Sequence, residues 1–247
     1  MLLQRLLSLP VVCALSAGCH ATQTTPATTP APPTARTATL PDSIVWVQRS
    51  AEYYAAVIQV YRLATARVEQ QASSRAPGTW AVILDADETI LSNLQYQIER
   101  VGLGYSPESW AAWVRRRKAT PLPGAAAFLT RVHALGGRIA IVTNRLDSEC
   151  ADTITLFKAQ ALLFDAMLCR PDKGPSDKNP RFEAVTAGKT AAGNTPLEVV
   201  AFVGDNILDF PGLNQKLRQA GDQGFGEFGV TYFLLPNPMY GSWQESR

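Results

Sequence analysis

The chain has 247 residues, of which 46% are hydrophobic and 18% are charged, and its formal net charge is +2. This is an ordinary globular balance, so composition excludes an acidic, solvating protein and does not indicate one that binds a nucleic-acid polymer. The length suits one large domain or two small ones.

Residues 1–18 are predicted to be a signal peptide. Arg5 is followed by an apolar stretch that is too short to span a bilayer. Small residues then precede Cys19, as in a bacterial lipobox, although Ser16 occupies the position usual for leucine. An ordinary secretory signal, cut near an A-x-A site, is the alternative. In the lipobox interpretation Cys19 is acylated, and His20 in place of aspartate after it favours the outer membrane.

Residues 19–41 are mostly Thr, Ala and Pro. Such a segment cannot bury a core and is predicted to be a semi-extended tether. Because a tether suits an acylated protein better than a free one, it strengthens the lipoprotein interpretation. We therefore expect a protein anchored by lipid to the bacterial outer membrane, facing the periplasm or the cell surface.

The folded part is predicted to span residues 42–247. It opens with apolar residues at intervals of three and four over residues 42–72, which predicts one long amphipathic helix capped by Asp42 or Ser43.

Short apolar runs rich in β-branched residues follow, separated by helical segments such as residues 124–137. Continuous apolar runs that alternate with helices are typical of a parallel sheet covered on both faces. The fold class is therefore predicted to be α/β and doubly wound. The predicted strands are residues 80–84, 138–143, 198–204 and 230–235, with 163–168 as a weaker candidate.

Cys150 and Cys169 are the cysteines left in the folded part, and no C-x-x-C spacing favours a zinc site. Nothing in their spacing indicates proximity, so whether they pair in an oxidising compartment is left open.

Polar residues stand at the ends of three predicted strands, where ligands bind in such sheets. The stretch "VILDADET" carries Asp85 and Asp87, "IAIVTNR" carries Thr143 to Arg145, and "VAFVGDNILDF" carries Asp205 and Asp209. Taken singly, the aspartates could be helix-capping or turn residues, and Asn144 and Arg145 could cap the next helix. Their common position at strand ends instead predicts one site.

The order of these motifs resembles the haloacid dehalogenase superfamily of phosphotransferases. The stretches "DADETILSN", "TNR", "GDNILDF" and "LPNPMYGSW" are similar to its lipoprotein acid phosphatase branch, the outer-membrane 5′-nucleotidases. The resemblance implies a Rossmann-like sheet of that superfamily's type with a small cap, which we expect at about residues 93–123. It also implies hydrolysis of phosphomonoesters, with nucleoside 5′-monophosphates as the expected substrates, and a homodimer.

The resemblance assigns roles to the aspartates. Asp85 is the expected nucleophile, and Asp87 the acid that protonates the leaving alkoxide and later activates water. A carboxylate attacks a phosphate dianion only when repulsion is relieved, so Mg²⁺ is the expected cofactor. Its expected ligands are Asp85, the Asp87 carbonyl and Asp205, with Asp209 holding a ligand or bound water.

Phosphate binding is expected from Thr143, Asn144 and Lys178. Lys173 is a rival for the lysine, and Arg181 is a further candidate for contact with the phosphate.

On the substrate side, Trp110 and Tyr240 align with aromatics that stack on a nucleobase or nicotinamide ring in the resembling family. Packing of both rings against the core is the alternative. A different class of function is also open: a surface lipoprotein that binds a nucleotide or haem without turnover. The paired aspartates argue against it, because a binder has no use for a nucleophile and its acid.

Overall fold

A computed structural model describes residues 39–190 and 195–246, so the predicted signal peptide, Cys19 and nearly all of the predicted tether lie outside the described residues. The helices are α1 Asp42–Arg49, α2 Ala51–Ala72, α3 Leu94–Glu99, α4 Pro107–Arg116, α5 Ala125–Ala134, α6 Asp147–Ala159 and α7 Asn179–Thr186. The strands are β1 Trp80–Leu84, β2 Leu91–Ser92, β3 Thr120–Pro121, β4 Arg138–Leu146, β5 Ala166–Arg170, β6 Glu198–Gly204 and β7 Tyr232–Leu234. Short 3₁₀ helices span Ile207–Asp209, Gln215–Ala220, Asp222–Phe225 and Ser242–Ser246.

The central sheet has five parallel strands in the order β5-β4-β1-β6-β7. Every residue of β1 is buried, because successive side chains enter different hydrophobic clusters. Val82 and Leu84 pack with residues of α2 and α5, whereas Ala81 and Ile83 pack with residues of α7. A strand covered on both faces needs a continuous apolar run, which is why it could be read from the sequence. The predicted α/β class with a parallel sheet is confirmed.

Most of the strand boundaries agree with those predicted from the apolar runs. β1 and β6 have the predicted limits, and β7 lies inside its predicted range. β4 continues three residues beyond its prediction, to Leu146, so Asn144 and Arg145 belong to the strand as well as Thr143.

The single helix predicted over residues 42–72 is wrong at Ser50, which separates α1 from α2. Ser50 has extended backbone (φ −82°, ψ 138°), and its hydroxyl accepts a hydrogen bond from the Tyr53 amide at 3.0 Å. Serine at an N-cap satisfies an amide that lacks a helical partner, so a new helix begins here despite the continuous apolar period. Within the described residues, none of the helices combines the length and apolar character that crossing a bilayer requires.

The predicted cap region contains α3 and α4. Antiparallel pairing of β2 with β3 joins Leu91 to Pro121 and Ser92 to Thr120, which brings the two ends of this segment together. Ser106 begins α4 with a capping box, in which its hydroxyl and that of Ser109 each accept from the other residue's amide. The segment therefore begins and ends at one place, the separate two-stranded sheet of β2 and β3.

Cys150 and Cys169, whose pairing the sequence left open, form a disulfide with a Cα–Cα distance of 6.1 Å. Cys150 lies in the second turn of α6 and Cys169 is the penultimate residue of β5. The helix packs against its own following strand, and this contact, which cysteine spacing does not reveal, brings the two thiols together.

Candidate active site

Three carboxylates meet at the carboxyl edge of the sheet: Asp85 after β1, Asp205 after β6, and Asp209 in the short helix that follows. Each offers one oxygen, and these oxygens lie within 4.8 Å of one another. Gly204 permits this approach, since a Cβ at that position would collide with the Asp209 side chain. Three of the four predicted strand-end aspartates thus form one cluster.

Lys178 is the cation inside this cluster. Its Nζ donates to Asp85 Oδ1 at 2.5 Å and to Asp209 Oδ1 at 2.6 Å, and the whole side chain is buried. Burial alone would lower the pKa of Lys178, but Asp209 and Asp85 together raise it above its ordinary value. The lysine is therefore held charged against both carboxylates.

Burial also changes the acidity of the carboxylates. It raises the pKa of Asp85 to about 7, an effect that Lys178 opposes and that Asp209 and Asp87 reinforce. Burial raises the pKa of Asp205 well above its ordinary value too, with Asp209 and Asp85 adding to the shift. Negative charge is thus in excess at this edge of the sheet.

Asp87 is held by a buried guanidinium. Arg145 Nη2 donates to Asp87 Oδ1 at 2.7 Å, and its Nε lies 3.0 and 3.1 Å from the two carboxylate oxygens. Asn93 Nδ2 donates to the same Oδ1 at 2.8 Å and is itself oriented by the Trp113 indole, which donates to Asn93 Oδ1. The Arg145 side chain is 1% exposed, whereas Asp87 is 17% exposed. One side of the carboxylate is clamped and the other faces the cavity.

Glu88 is a second buried carboxylate next to Asp87, and Asn93 donates hydrogen bonds to both residues. It accepts hydrogen bonds from the Asn93 amide and from the Tyr240 hydroxyl, and it adopts the left-handed backbone region at φ 52°. Burial, reinforced by Asp87 and opposed by Asn93, raises the pKa of Glu88 to about 8. The side chain ties the turn after β1 to the C-terminal segment.

The residues predicted to bind phosphate differ in their exposure and in whether they line the cavity. Asn144 is exposed, lines the cavity and accepts from Arg181 Nη2 at 2.6 Å. Thr143 is buried, and its hydroxyl accepts from the Arg145 amide at 3.2 Å. Lys178 lines the cavity, whereas Lys173 is exposed in the preceding loop. Arg181 donates to the Thr143 carbonyl, so it supports the end of β4.

A cavity of about 510 Å³ opens above the carboxylates. Asp85, Asp87 and Lys178 lie in its wall, and Trp110 and Tyr240 contribute to the same lining. Trp110 is also half-buried against the core, with its ring edge-on to that of Tyr96 at 5.1 Å. The ring therefore packs against the core and lines the cavity at once, and the two alternatives posed by the sequence are compatible.

The cluster of Asp85, Asp205 and Asp209 has the donor set of a hard divalent cation. All its donors are carboxylate oxygens, which magnesium, calcium and manganese favour. Carboxylates outnumber cations at this edge, and the pKa of Asp205 is raised first by burial and then by repulsion from Asp209 and Asp85. A divalent cation fits the residues that are present.

Sequence reasoning missed two roles. Arg145 was predicted to stand at a strand end, with helix capping as the alternative, but no partner was predicted for it: α6 begins after Leu146, and the Arg145 side chain turns inward to Asp87. Glu88 lies within the motif "VILDADET", but no function was predicted for it. A glutamate immediately after the paired aspartates was the available signal, but its partners Asn93 and Tyr240 emerge only from the fold.

The sheet collects carboxylates at its strand ends around Lys178, which immediately precedes α7, and this is the arrangement that the resemblance to the haloacid dehalogenase (HAD) class implies. The family model described as HAD superfamily, subfamily IIIB (acid phosphatase) matches residues 5–243. The chain belongs to this family and is an acid phosphatase, a phosphomonoesterase, which confirms the predicted superfamily and enzyme class.

Solved structures agree with this assignment. The class C acid phosphatase from Bacillus anthracis is similar, with 27% identity and a TM-score of 0.73 over 83% of this chain and 86% of that one. A structure of the Bacillus anthracis class C acid phosphatase with tungstate bound gives 26% identity and a TM-score of 0.71 over the same shares.

Proposed function

We propose that this protein is a magnesium-dependent acid phosphatase that hydrolyses nucleoside 5′-monophosphates through an aspartyl-phosphate. The observation that carries the proposal is the meeting of Asp85, Asp87 and Lys178 in the wall of one cavity. Hydrolysis of phosphate monoesters is among the slowest uncatalysed reactions, so nucleophile, acid and charge compensation are all needed.

In the first step an Asp85 oxygen attacks phosphorus and the bond to the ester oxygen breaks. Asp87 protonates that oxygen as it leaves. In the second step Asp87 takes a proton from water, which attacks phosphorus and releases Asp85. The fixed position of Asp87 against Arg145 supports this role, because a proton donor must be held within hydrogen-bond reach of the departing atom.

Charge compensation comes from the protein's cations and from the metal. Lys178, Asn144 and the Thr143 hydroxyl would bind phosphoryl oxygens, with Lys178 offsetting negative charge as well. Asp85, Asp205 and Asp209 would hold magnesium, together with the Asp87 carbonyl. When bound, magnesium would offset the charge of the carboxylates and the phosphate and favour ionised Asp85.

The aromatic side chains of the cavity support a substrate that carries a ring. We propose that Trp110 and Tyr240 stack on the base of the nucleotide, a contact worth about 1–3 kcal/mol per ring in nucleic-acid sites. The Tyr240 hydroxyl is held by Glu88, which limits rotation of the ring.

A first experiment tests the chemistry. Hydrolysis of p-nitrophenyl phosphate, measured with and without EDTA, should require a divalent metal, and magnesium should restore it. Asp85→Asn should fold with a normal circular-dichroism spectrum and lose turnover. Turnover retained by this variant would remove Asp85 as nucleophile. An intact protein that hydrolyses no phosphomonoester would favour the alternative, a lipoprotein that binds a nucleotide or haem.

A second experiment tests the substrate and the acid. A panel of nucleoside monophosphates, nicotinamide mononucleotide and small phosphomonoesters should show the highest kcat/KM for the 5′-nucleotides. Because Asp87 must carry a proton at the start of the reaction, the rate should peak below neutrality, at about pH 5–6. A flat or alkaline profile would count against that role.

We also propose that the protein is lipid-anchored through Cys19 in the bacterial outer membrane and forms a homodimer. The Thr/Ala/Pro-rich composition of residues 19–41 supports an anchor followed by a tether. Metabolic labelling with palmitate, compared between wild type and Cys19→Ser, tests the anchor. Light scattering of the folded part tests the dimer.

A further inference from the structure

Arg170 differs from the other cations that line the cavity. Lys178 is paired with Asp85, and Arg145 is paired with Asp87. In the part of the chain that the structure describes, Arg170 has no ion pair and no hydrogen bond through its side chain, and its Nε is buried without a partner. A guanidinium in the cavity wall that has no ion pair offers N–H donors to an anionic ligand.

The position of Arg170 places it away from the reacting phosphate. It ends β5, the edge strand, where it lies beside Leu146 in the register with β4. β4 separates β5 from β1, which carries Asp85 at its end. Neighbouring strands are about 4.8 Å apart, so Arg170 and Asp85 start from strands about 10 Å apart on the same edge of the sheet.

Contacts around Arg170 hold its backbone in place. The disulfide of the adjacent Cys169 joins β5 to α6. Asp172 accepts from the amide and the hydroxyl of Ser148, at 3.0 and 2.9 Å, and these bonds, with a smaller contribution from the charge of Arg170, lower the pKa of Asp172. Tyr105, an exposed residue of the cap region, also lines the cavity; burial raises the pKa of its hydroxyl, and the charge of Arg170 opposes this shift.

We propose that Arg170 binds a second phosphate group of the substrate, so that the preferred phosphomonoesters are bisphosphates such as nucleoside 3′,5′-bisphosphates. The planar guanidinium suits a phosphate because it can offer two parallel N–H donors. Tyr105 would add its hydroxyl from the cap region. This inference rests on the proposed hydrolysis of nucleotides and extends it to a specificity-determining residue.

The test compares kcat/KM for release of the 5′-phosphate from a nucleoside 3′,5′-bisphosphate and from the 5′-monophosphate with the same base. At low ionic strength the wild type should favour the bisphosphate by about 10-fold or more, the usual effect of a charge-assisted hydrogen bond. Arg170→Gln should bring this ratio close to one, and Arg170→Lys, which keeps the charge without the fork, should give an intermediate ratio. Arg131→Gln is the matched control, because Arg131 is exposed and pairs with Glu69 outside the cavity lining.

The possible outcomes distinguish the proposed role of Arg170 from the proposed function of the protein. A wild type that hydrolyses both substrates with equal kcat/KM would overturn the role of Arg170 and leave the proposed function intact. An unchanged ratio in Arg170→Gln would do the same. Should Arg170→Gln melt early, the ratios of wild type and Arg170→Lys decide, and identical values would reject the proposal. A wild type that hydrolyses neither substrate contradicts the proposed function itself.

Discussion

Replacing Arg145 with methionine tests whether Arg145 holds Asp87 in position for proton transfer. The substitution keeps a long side chain in the buried space and removes the guanidinium that donates to both Asp87 oxygens. Asp87 would remain, still bonded by Asn93 at 2.8 Å, but free to rotate toward solvent in the cavity.

The magnitude follows from the burial of the pair. Breaking a buried ion pair costs about 3–5 kcal/mol, because one charge is left uncompensated. Asp87 is 17% exposed and can regain water, so the lower end, about 3 kcal/mol, is expected. For a domain of this size that cost lowers Tm by about 6–12 °C. A displaced general acid should lower kcat by about 100-fold, the lower bound for this kind of catalysis.

The assay exploits the leaving group. p-Nitrophenolate leaves without much help from an acid, whereas the alkoxide of a nucleoside needs a proton. Hydrolysis of the aspartyl-phosphate, in which Asp87 acts as base, is common to both substrates, so the comparison uses kcat/KM, which reports the reaction up to departure of the leaving group. Arg145→Met should therefore lower kcat/KM far more for a nucleoside 5′-monophosphate than for p-nitrophenyl phosphate. Arg131→Met, which breaks the exposed pair with Glu69, should change Tm and both rates little. Equal losses on both substrates would refute the reasoning, since a merely structural defect lowers both alike.

The other predictions concern the lysine, the disulfide and Glu88. Lys178 lowers the pKa of Asp85, so Lys178→Met should raise that pKa further. Because the nucleophile must be ionised, the acid limb of the pH–rate profile should move to higher pH, and kcat should fall by about 100-fold or more. An acid limb at the same pH as in the wild type would contradict this. Replacing Cys150 and Cys169 together with serine should lower the free energy of unfolding by about 3 kcal/mol in urea titrations, the loop-entropy value for a link of this length, and equal midpoints would argue against it. The folded-state pKa of Glu88 is raised from 4.5 to about 8, so folding favours its protonated form and stability is lost as pH rises through that range. Glu88→Gln in EDTA should lose less stability than wild type between those pH values, and parallel stability curves would be the contrary result.

Much of the fold could be predicted because the buried strands carry their signal locally. β1 and β6 are continuous apolar runs that the two-sided covering of the sheet requires, and both have the predicted limits. The same topology brings strand ends to one edge, so Asp85, Asp205 and Asp209 could be grouped before any coordinates. The break at Ser50 was missed because the apolar period continues across it.

The sequence by itself determined the sheet, the acidic cluster and the resemblance to HAD phosphatases, since these depend on local patterns and on the order of short motifs. Only the tertiary structure decided which polar side chains meet. Arg145 reaches Asp87 across 58 residues of sequence and Tyr240 reaches Glu88 across 152, and the Cys150–Cys169 link depends on how α6 lies against β5. Such pairs produce no periodic pattern in the sequence, because a side-chain hydrogen bond or a disulfide requires only that two atoms come within bonding distance.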